Sequence, residues 1–534
     1  MKKSIIILTL ALILFRCSFC QDWIRVFGIP EYAKVFCVME NYDKGYILGG
    51  NVRHINYLWD YGLLIKTDIN GNLIWDIKFG NETGDYHTYI HGLEQTLDGG
   101  IIISGSTYIF NNCDGFIMKI NACGEKEWCT IYRSDAWLDY GIKVHQLANG
   151  GYMMNFHYWG NDLANKRIWL FRLDEEGNTM WKNLFATDTS YINEEGFDMI
   201  IAPDSGYIIS GENWYEIDTL PGYYYEHPFF IKVNNEGSEE WEESYWPDSG
   251  FWQGSSNAIT CDNYGNIYSA GYRGNYDDPI MIKMSSDGEP LGHVILLDTV
   301  YFGITSTIDF LSDSSLVLGG YHGHANGLGT TMIWKVDREG NILDERDSLL
   351  INVPYPADAT VTFDDKIVFV VTTTYTNNNG FDIVMYKLNS NLEYDSIYNQ
   401  PFEYDYLCPH PIVPDTIDLD CSIVVNLDEE ESEPSPSLTI KPNPANSEVS
   451  IIFPEYYKSE INRNGITTTK IRYLNSLETK IEIYDLTGSL TKTINNSMGT
   501  KEIVLNVEDW NKGMYMIRLM SGNEIIAEGK MVVQ

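Results

Sequence analysis

Some side chains in this sequence are spaced so that they could act together. His322-Gly323-His324 puts two imidazoles two residues apart, the kind of pair that can start a metal site when further ligands converge on it. No such further ligands are identifiable, so a polar loop is the plainer expectation. Asp277-Asp278 and Glu194-Glu195 are carboxylate pairs that could attract calcium, but no EF-hand loop pattern surrounds them. Chance pairs are expected among 75 acidic residues. There is no HExxH helix and no GxSxG turn, so neither a zinc peptidase nor a serine-hydrolase site is expected. The reading is of a non-enzyme with no identified cofactor.

The remaining chemistry-bearing residues are cysteines and aromatics. The N-terminus has Lys2 and Lys3, an apolar run over 5–15 and a Ser18-Phe19-Cys20 cleavage site, which together read as a secretory signal peptide over 1–20. Arg16 disfavours a lipoprotein reading through Cys17. Seven of nine cysteines survive cleavage, none in a CxxC pair, in a compartment that permits disulfides. Cys113 and Cys123 fall at opposite ends of one expected strand, and Cys37 and Cys261 fall far apart in the repeat. Elimination leaves Cys408–Cys421 as the expected disulfide. The net charge of −39 repels phosphate backbones and excludes nucleic acid as a partner class. No run is long enough for a transmembrane segment.

What positions these residues is a repeat. An apolar strand ends in a basic residue, followed by a turn with Gly and then Trp: Lys66, Gly71 and Trp75 in the first copy. Lys119, Arg172, Lys232, Lys283, Lys335 and Lys387 mark the rest, at spacings of 53, 53, 60, 51, 52 and 52. A second phrase, Asp43-Lys44-Gly45-Tyr46 in its first copy, recurs at Asp98, Asn149, Asp204, Asn263, Asp313 and Asp364. Each is a tight turn feeding a strand. Four strands, a to d, fit each unit: about 33–39, 45–50, 62–67 and 73–79 in the first. Seven such units over 21–400 predict an all-β fold, a seven-bladed β-propeller. The Trp at the start of strand d is expected to pack between blades. Asp22-Trp23-Ile24-Arg25-Val26-Phe27-Gly28 copies strand d and is expected to complete the seventh blade, with 392–398 as a rival for that place.

In such a fold the b–c loops and the blade-to-blade loops share one face. These loops hold Tyr57, Trp59, Tyr89, Trp137, Trp159, Trp214, Trp246 and Trp252, mixed with acidic residues. Aromatics with polar tips suit recognition and stack on sugar rings. This is the expected binding face, with about half of its aromatics spent on packing. The Gly-to-Trp spacing of four differs from the spacing of three in the Asp-box of sialidase propellers. It resembles the tryptophan-docking turn of quinoprotein propellers, without their vicinal cysteines or cofactor residues.

After residue 400 the period stops. Residues 401–436 read as a bridge and an acidic, Pro-containing linker. Residues 437–534 read as a small C-terminal β-sandwich with strands near 438–440, 449–453, 480–484, 502–507, 514–519 and 524–533. Four motifs occur here in order: Lys441-Pro442-Asn443-Pro444-Ala445, then Ile481 to Gly488 with Asp485, then Lys512-Gly513-Met514-Tyr515, then Lys530-Met531-Val532-Val533. Together they resemble the type A sorting domain of the type IX (Por) secretion system. The chain departs from that pattern over 455–478. The resemblance implies a Gram-negative host, passage through the periplasm, recognition by the secretion machinery and a sortase-like peptidase, and a secreted or cell-surface destination. The expected function is a binding or adhesion protein whose loop face takes a glycan or a surface protein. The alternatives are a glycan-active propeller, which would need convergent carboxylates, and a structural surface-layer component.

Overall fold

The computed structural model describes residues 23–533 apart from short gaps. In the first part these lie at 28–31, 54–58, 81–86, 110–111, 134–137, 160–165, 186–192, 217–223, 247–252, 275–277, 298–302, 324–328, 348, 350–354, 374–380 and 415. Further gaps fall at 425–437 and at 442–444, 446, 454–455, 464–465, 474–478, 486–488, 497–499 and 522–523. Two compact units result, 1–427 and 428–534.

The described part of the first unit is a propeller of seven blades. Blade 1 comprises Tyr32–Glu40, Tyr46–Arg53, Asp60–Thr67 and Leu73–Phe79. Five further blades repeat this antiparallel order up to Arg346. Blade 7 takes Tyr355–Val361, Ile367–Thr373 and Asp382–Leu388 from late in the chain and Ile24–Phe27 from its start. Ile24 pairs with Tyr386 and Phe27 with Ile383, so the first strand fastens the last blade. The rival segment shares the same edge: Tyr394 bridges Leu388, and the Asp395 N–H donates to the Lys387 carbonyl at 2.9 Å. Trp23 is fully buried against blade 1, its ring over Gly71.

The two repeated phrases meet in space. The strand c cation reaches the a–b turn: Lys66 to Asp43 at 2.7 Å, Lys119 to Asp98 at 2.9 Å, Arg172 to Asn149 at 2.9 Å. Lys232 to Asp204, Lys335 to Asp313 and Lys387 to Asp364 repeat the contact at 2.5, 2.9 and 3.8 Å. Blade 5 departs: its Lys283 is half-buried and donates to the Arg338 carbonyl instead. The strand d tryptophans join neighbouring blades, with Trp128 lying over Gly177, Trp181 over Gly237 and Trp241 over Gly288. Gly177 adopts φ of +82°, and a Cβ there would sit 2.7 Å from the Trp128 ring, so the docking surface requires glycine.

Every strand a carries a one-residue bulge at the same point, after Val35 in blade 1 and after Pro356 in blade 7. The bulge bends the innermost strand round the channel. Its edge N–H groups are capped by carboxylates of the preceding blade. Asp358 accepts from Val38, Glu94 from Gln146, Asp198 from Ile259 and Asp309 from Val361, at 3.0–3.4 Å. Lys143, 3.2 Å from Asp198, supplies positive charge within this ring of acids.

The expected Cys408–Cys421 disulfide is corrected. Cys408 bonds to Cys123, and Cys421 to Cys129. The segment does not turn back on itself but runs along the outer edges of blades 1 and 2. Thr416–Ile417 adds to strand d of blade 1 and Ser422–Val424 to strand d of blade 2, both parallel. That course brings Cα atoms 285 and 292 residues apart to 5.0 and 4.7 Å. It also covers two outer edges that would otherwise be open.

The second unit is a sandwich. Thr439–Lys441, Glu448–Ile452 and Glu502–Asn506 form one sheet; Leu490–Asn496, Thr479–Asp485, Gly513–Ser521 and Glu524–Val533 form the other. Val449, Ile451, Ile481, Ile483, Ile517 and Leu519 fill its core. The departure from the sorting pattern holds a hairpin, Tyr456–Arg463 with Ile466–Tyr473.

The strand c pairs differ in burial, and this separates their energetic roles. Lys66 and Asp43 are both fully covered, whereas Asp98 beside Lys119 is 57% exposed. Lys66→Met therefore strands buried carboxylates and should cost about 3–5 kcal/mol. Lys119→Met should cost about 1 kcal/mol or less. Urea unfolding midpoints of the two variants measure the difference.

Candidate functional site

Three of the expected binding-face residues, Tyr57, Trp137 and Trp252, lie outside the described residues, as do Pro442, Asn443, Pro444, Gly488 and His324. Asp485 is half-buried, Lys530 is exposed, and Gly513 opens the strand that contains Tyr515. Tyr515 is buried and donates its hydroxyl to the Asn511 carbonyl at 2.8 Å. His322 is buried in a polar contact with Thr330 and Asp347, at 2.9 and 3.1 Å.

The remaining aromatics do not form one continuous face. Trp159 and Trp214 come together at the joint between blades 3 and 4. Trp159 ends strand b of blade 3, directly opposite Lys166 at the start of strand c. A single parallel bridge ties Lys166 to Asn193, the first residue of blade 4. The Lys166 ammonium lies 4.4 Å from the centre of the Trp159 ring and 5.1 Å from that of Trp214. It also contacts the Glu195 carboxylate. His157 Nε2 faces Glu195 at 3.6 Å, and Arg167 faces Glu194 at 3.6 Å. The Glu194-Glu195 pair is thus neutralised by cations of the neighbouring blade.

Beyond Trp214 the site continues as two more carboxylates. The Trp214 indole N–H donates to Glu212 at 2.8 Å, and the Tyr272 hydroxyl donates to Glu226 at 3.2 Å. Glu226 lies directly across from Trp214, and Glu212 two residues along the same strand, so both acids share one face of the sheet. Burial first, then the Glu226 charge, pushes the Glu212 carboxyl up to about 7. Burial also raises Glu226 and lowers Lys166, while the opposite charges partly restore each. Burial, with Lys166 beside it, lowers His157 to about 3, so its imidazole is neutral. Trp246, 54% exposed, packs on His227 at 5.0 Å on the outer side of blade 4.

Tyr89 belongs to a separate cluster at blades 1 and 2. Asp60, nearly fully buried, accepts from Arg53 Nε and Nη2 at 2.8 Å each and from the Tyr89 hydroxyl at 2.8 Å, with His87 Nδ1 at 3.1 Å. Burial alone would raise this carboxyl, but the hydrogen bonds from His87, Arg53 and Tyr89 hold it well below the usual range. The cluster lines a cavity of about 110 Å³ with Lys34, Asn51 and Phe381. Trp59, half-buried, immediately precedes Asp60.

Lys166, Glu212, Glu226 and Asp60 are absent from the sequence-based expectation, which has Glu195 only as half of a carboxylate pair. A signal for three of them was present: Asp60, Lys166 and Glu226 all stand six residues before the strand c cation, at the mouth of their blades.

The fold and the tail together define an exported propeller. Residues 439–534 match the family described as secretion system C-terminal sorting domain, so the chain carries such a domain at its C-terminal end. A tail of this family implies export to the cell surface or the extracellular space. No helix among the described residues is long and apolar enough to cross a membrane. No curated protein matches the chain. Similar solved structures include a protein of unknown function from Bacteroides caccae, 11% identical, covering 66% of this chain and 92% of its own, with a TM-score of 0.33. Another, from Dyadobacter fermentans, is 10% identical over 68% and 98%, with a TM-score of 0.38. The polysaccharide lyase Uly1 is 9% identical over 67% and 90%, with a TM-score of 0.40. At these values the likenesses say nothing of activity.

A carboxyl raised by folding binds its proton more tightly in the native state than in the unfolded one. Its stabilising contribution is complete below the unfolded value and is lost as pH rises through about 7. Glu212→Gln keeps an acceptor for Trp214 and removes the titration. The melting temperature of the variant should therefore gain on that of the wild type as pH rises from 5 to 8; differential scanning calorimetry across that range checks it.

Proposed function

We propose that the protein is a secreted recognition module: the sorting domain is its address, and the propeller rim at blades 3 to 5 binds glycan. The observation that carries this reading is the meeting of Trp159 and Trp214 around Lys166 beside Glu195, Glu212 and Glu226. Indole faces supply stacking area for sugar rings, and carboxylates at their edges accept from ring hydroxyls. Screening the purified mature protein on a glycan array tests it. Binding should appear for a defined set of glycans, and Trp159→Ala with Trp214→Ala should weaken it at least roughly tenfold, as expected of stacked anchors. A clean array, or binding indifferent to both tryptophans, would remove the reading.

One observation favours a second reading, a glycan-cleaving propeller. Glu212 and Glu226 share a face, and Glu212 holds a proton near neutral pH, as a general acid requires. Release of reducing sugar from the bound glycans, lost in both Glu212→Gln and Glu226→Gln, would replace binding by catalysis.

The tail supports a further expectation. Deleting 437–534 should leave a folded propeller that accumulates in the periplasm of its host, because the two units are separately compact. Cell fractionation checks this; surface delivery without the tail would contradict it.

A further inference from the structure

The opposite face of the propeller contains a second site, independent of the rim. Between blades 1 and 2 the chain fills a groove with its own residues. The Asp405 N–H donates to Asp43 Oδ2 at 2.9 Å. Its carboxylate accepts from the Trp75 indole at 3.1 Å and lies 3.4 Å from Lys66 Nζ. Tyr406 packs edge-on against Tyr42 at 5.1 Å, and Leu407 rests on Gly99 next to Ala122. Cys123, the next residue of that turn, is bonded to Cys408 and locks the occupant in place.

The groove recurs one blade on, between blades 2 and 3, as a cavity of about 510 Å³. Its walls are the repeat equivalents of the first: Leu97 for Tyr42, Asp98 for Asp43, Lys119 for Lys66, Trp128 for Trp75, Gly150 for Gly99 and Glu175 for Ala122. Asp98 is 57% exposed where Asp43 is fully covered, and Leu97 is 77% exposed. Two substitutions change what fits. Glu127 stands where blade 1 has Ile74, and bonds Lys119 at 2.9 Å, taking the place that the Asp405 carboxylate fills in the first groove. The Glu175 carboxylate lies over Gly150 as Leu407 lies over Gly99. Glu176 replaces Cys123, so no disulfide can tether an occupant here.

We propose that this second groove binds an extended peptide of another protein, with an aromatic side chain on Leu97 and Trp128 followed directly by a lysine or arginine paired with Glu175. The peptide N–H corresponding to that of Asp405 donates to Asp98. An acidic residue at that point is not needed, because Glu127 already satisfies Lys119. The chain's own linker around Asp428–Glu433 has the wrong charge for this groove. The internal copy is the template for the bound conformation, and the missing cysteine makes binding reversible.

The test uses the mature full-length protein and two fluorescein-labelled octapeptides. One follows the internal occupant with serine for its two acids and its cysteine, Phe-Ser-Tyr-Ser-Tyr-Leu-Ser-Pro. The other is Phe-Ser-Tyr-Ser-Tyr-Arg-Ser-Pro. Fluorescence anisotropy should show the basic peptide binding about fivefold more tightly, the worth of one partly exposed ion pair. Glu175→Lys should reverse the preference, and Leu97→Ser should weaken both peptides. Glu175 and Leu97 are exposed, so neither variant threatens the fold. Failure of both peptides to bind at millimolar concentration, or binding unmoved by Glu175→Lys, overturns the proposal. Neither result bears on the glycan rim, which is built from other residues.

Discussion

In six blades a strand c cation is drawn beneath the surface to a residue of the a–b turn, and the rest of the ring is organised around that contact. A buried ammonium is tolerable only if its partners come with it. In most blades the turn Asp does two jobs. One oxygen closes its own turn, accepting from Gly45 in blade 1, Gly100 in blade 2, Gly206 in blade 4 and Ser315 in blade 6. The other oxygen of the same carboxylate takes the cation, and in blade 2 Lys119 reaches both. A local turn and a long-range strand tie are thus one residue, and both phrases persist in late copies where the tryptophan has gone.

The cation also takes a second acceptor, and its source differs round the ring. Blades 2 and 4 supply it from their own strand d, through Glu127 and Glu240. Blades 1, 6 and 7 receive it from the segment after the last blade, through Asp405, the Ser390 carbonyl and Asp395. This is why residues 389–424 belong to the propeller body, even though their composition reads as a bridge. Their place is set by unsatisfied cations on the lower face and by open strand edges on the outside.

The period, the four strands per blade and the closure by the first strand were legible because they rest on local patterns: turn residues, alternation and a copied strand d. The pairing of Lys66 with Asp43 was not, since the two phrases look independent until the sheet folds. The disulfides were misread for a related reason. Elimination within 401–426 assumed a self-contained bridge, whereas Cys408 and Cys421 find partners nearly three hundred residues away because that segment is an added edge strand. The aromatic face was legible in part. Trp159 and Trp214 converge, but what joins them is Lys166, a residue with no motif. In the second unit, Leu490–Asn496 and the hairpin within 455–478 escaped the pattern, one for its alternation of polar residues and the other for lying where the family pattern is interrupted.

A repeat fold also carries its own control. Each position exists seven times, so a residue that departs from its equivalents is doing something the architecture does not ask for. The mouth of strand c is Gly329 or Phe381 in blades 6 and 7 but Asp60, Lys166 and Glu226 in blades 1, 3 and 4, where the buried charges gather. The groove beneath Leu97 departs through Glu175, where the other six blades have Ile69, Ala122, Asn235, Ser286, Arg338 and Ser390. Symmetry accounts for much of the stability of the ring, since six of the seven blades repeat the same tie. Specificity can come only from where the symmetry breaks: it does so at the Asp60 cluster of blades 1 and 2, at the Lys166 cluster of blades 3 to 5, and at the grooves on either side of blade 2.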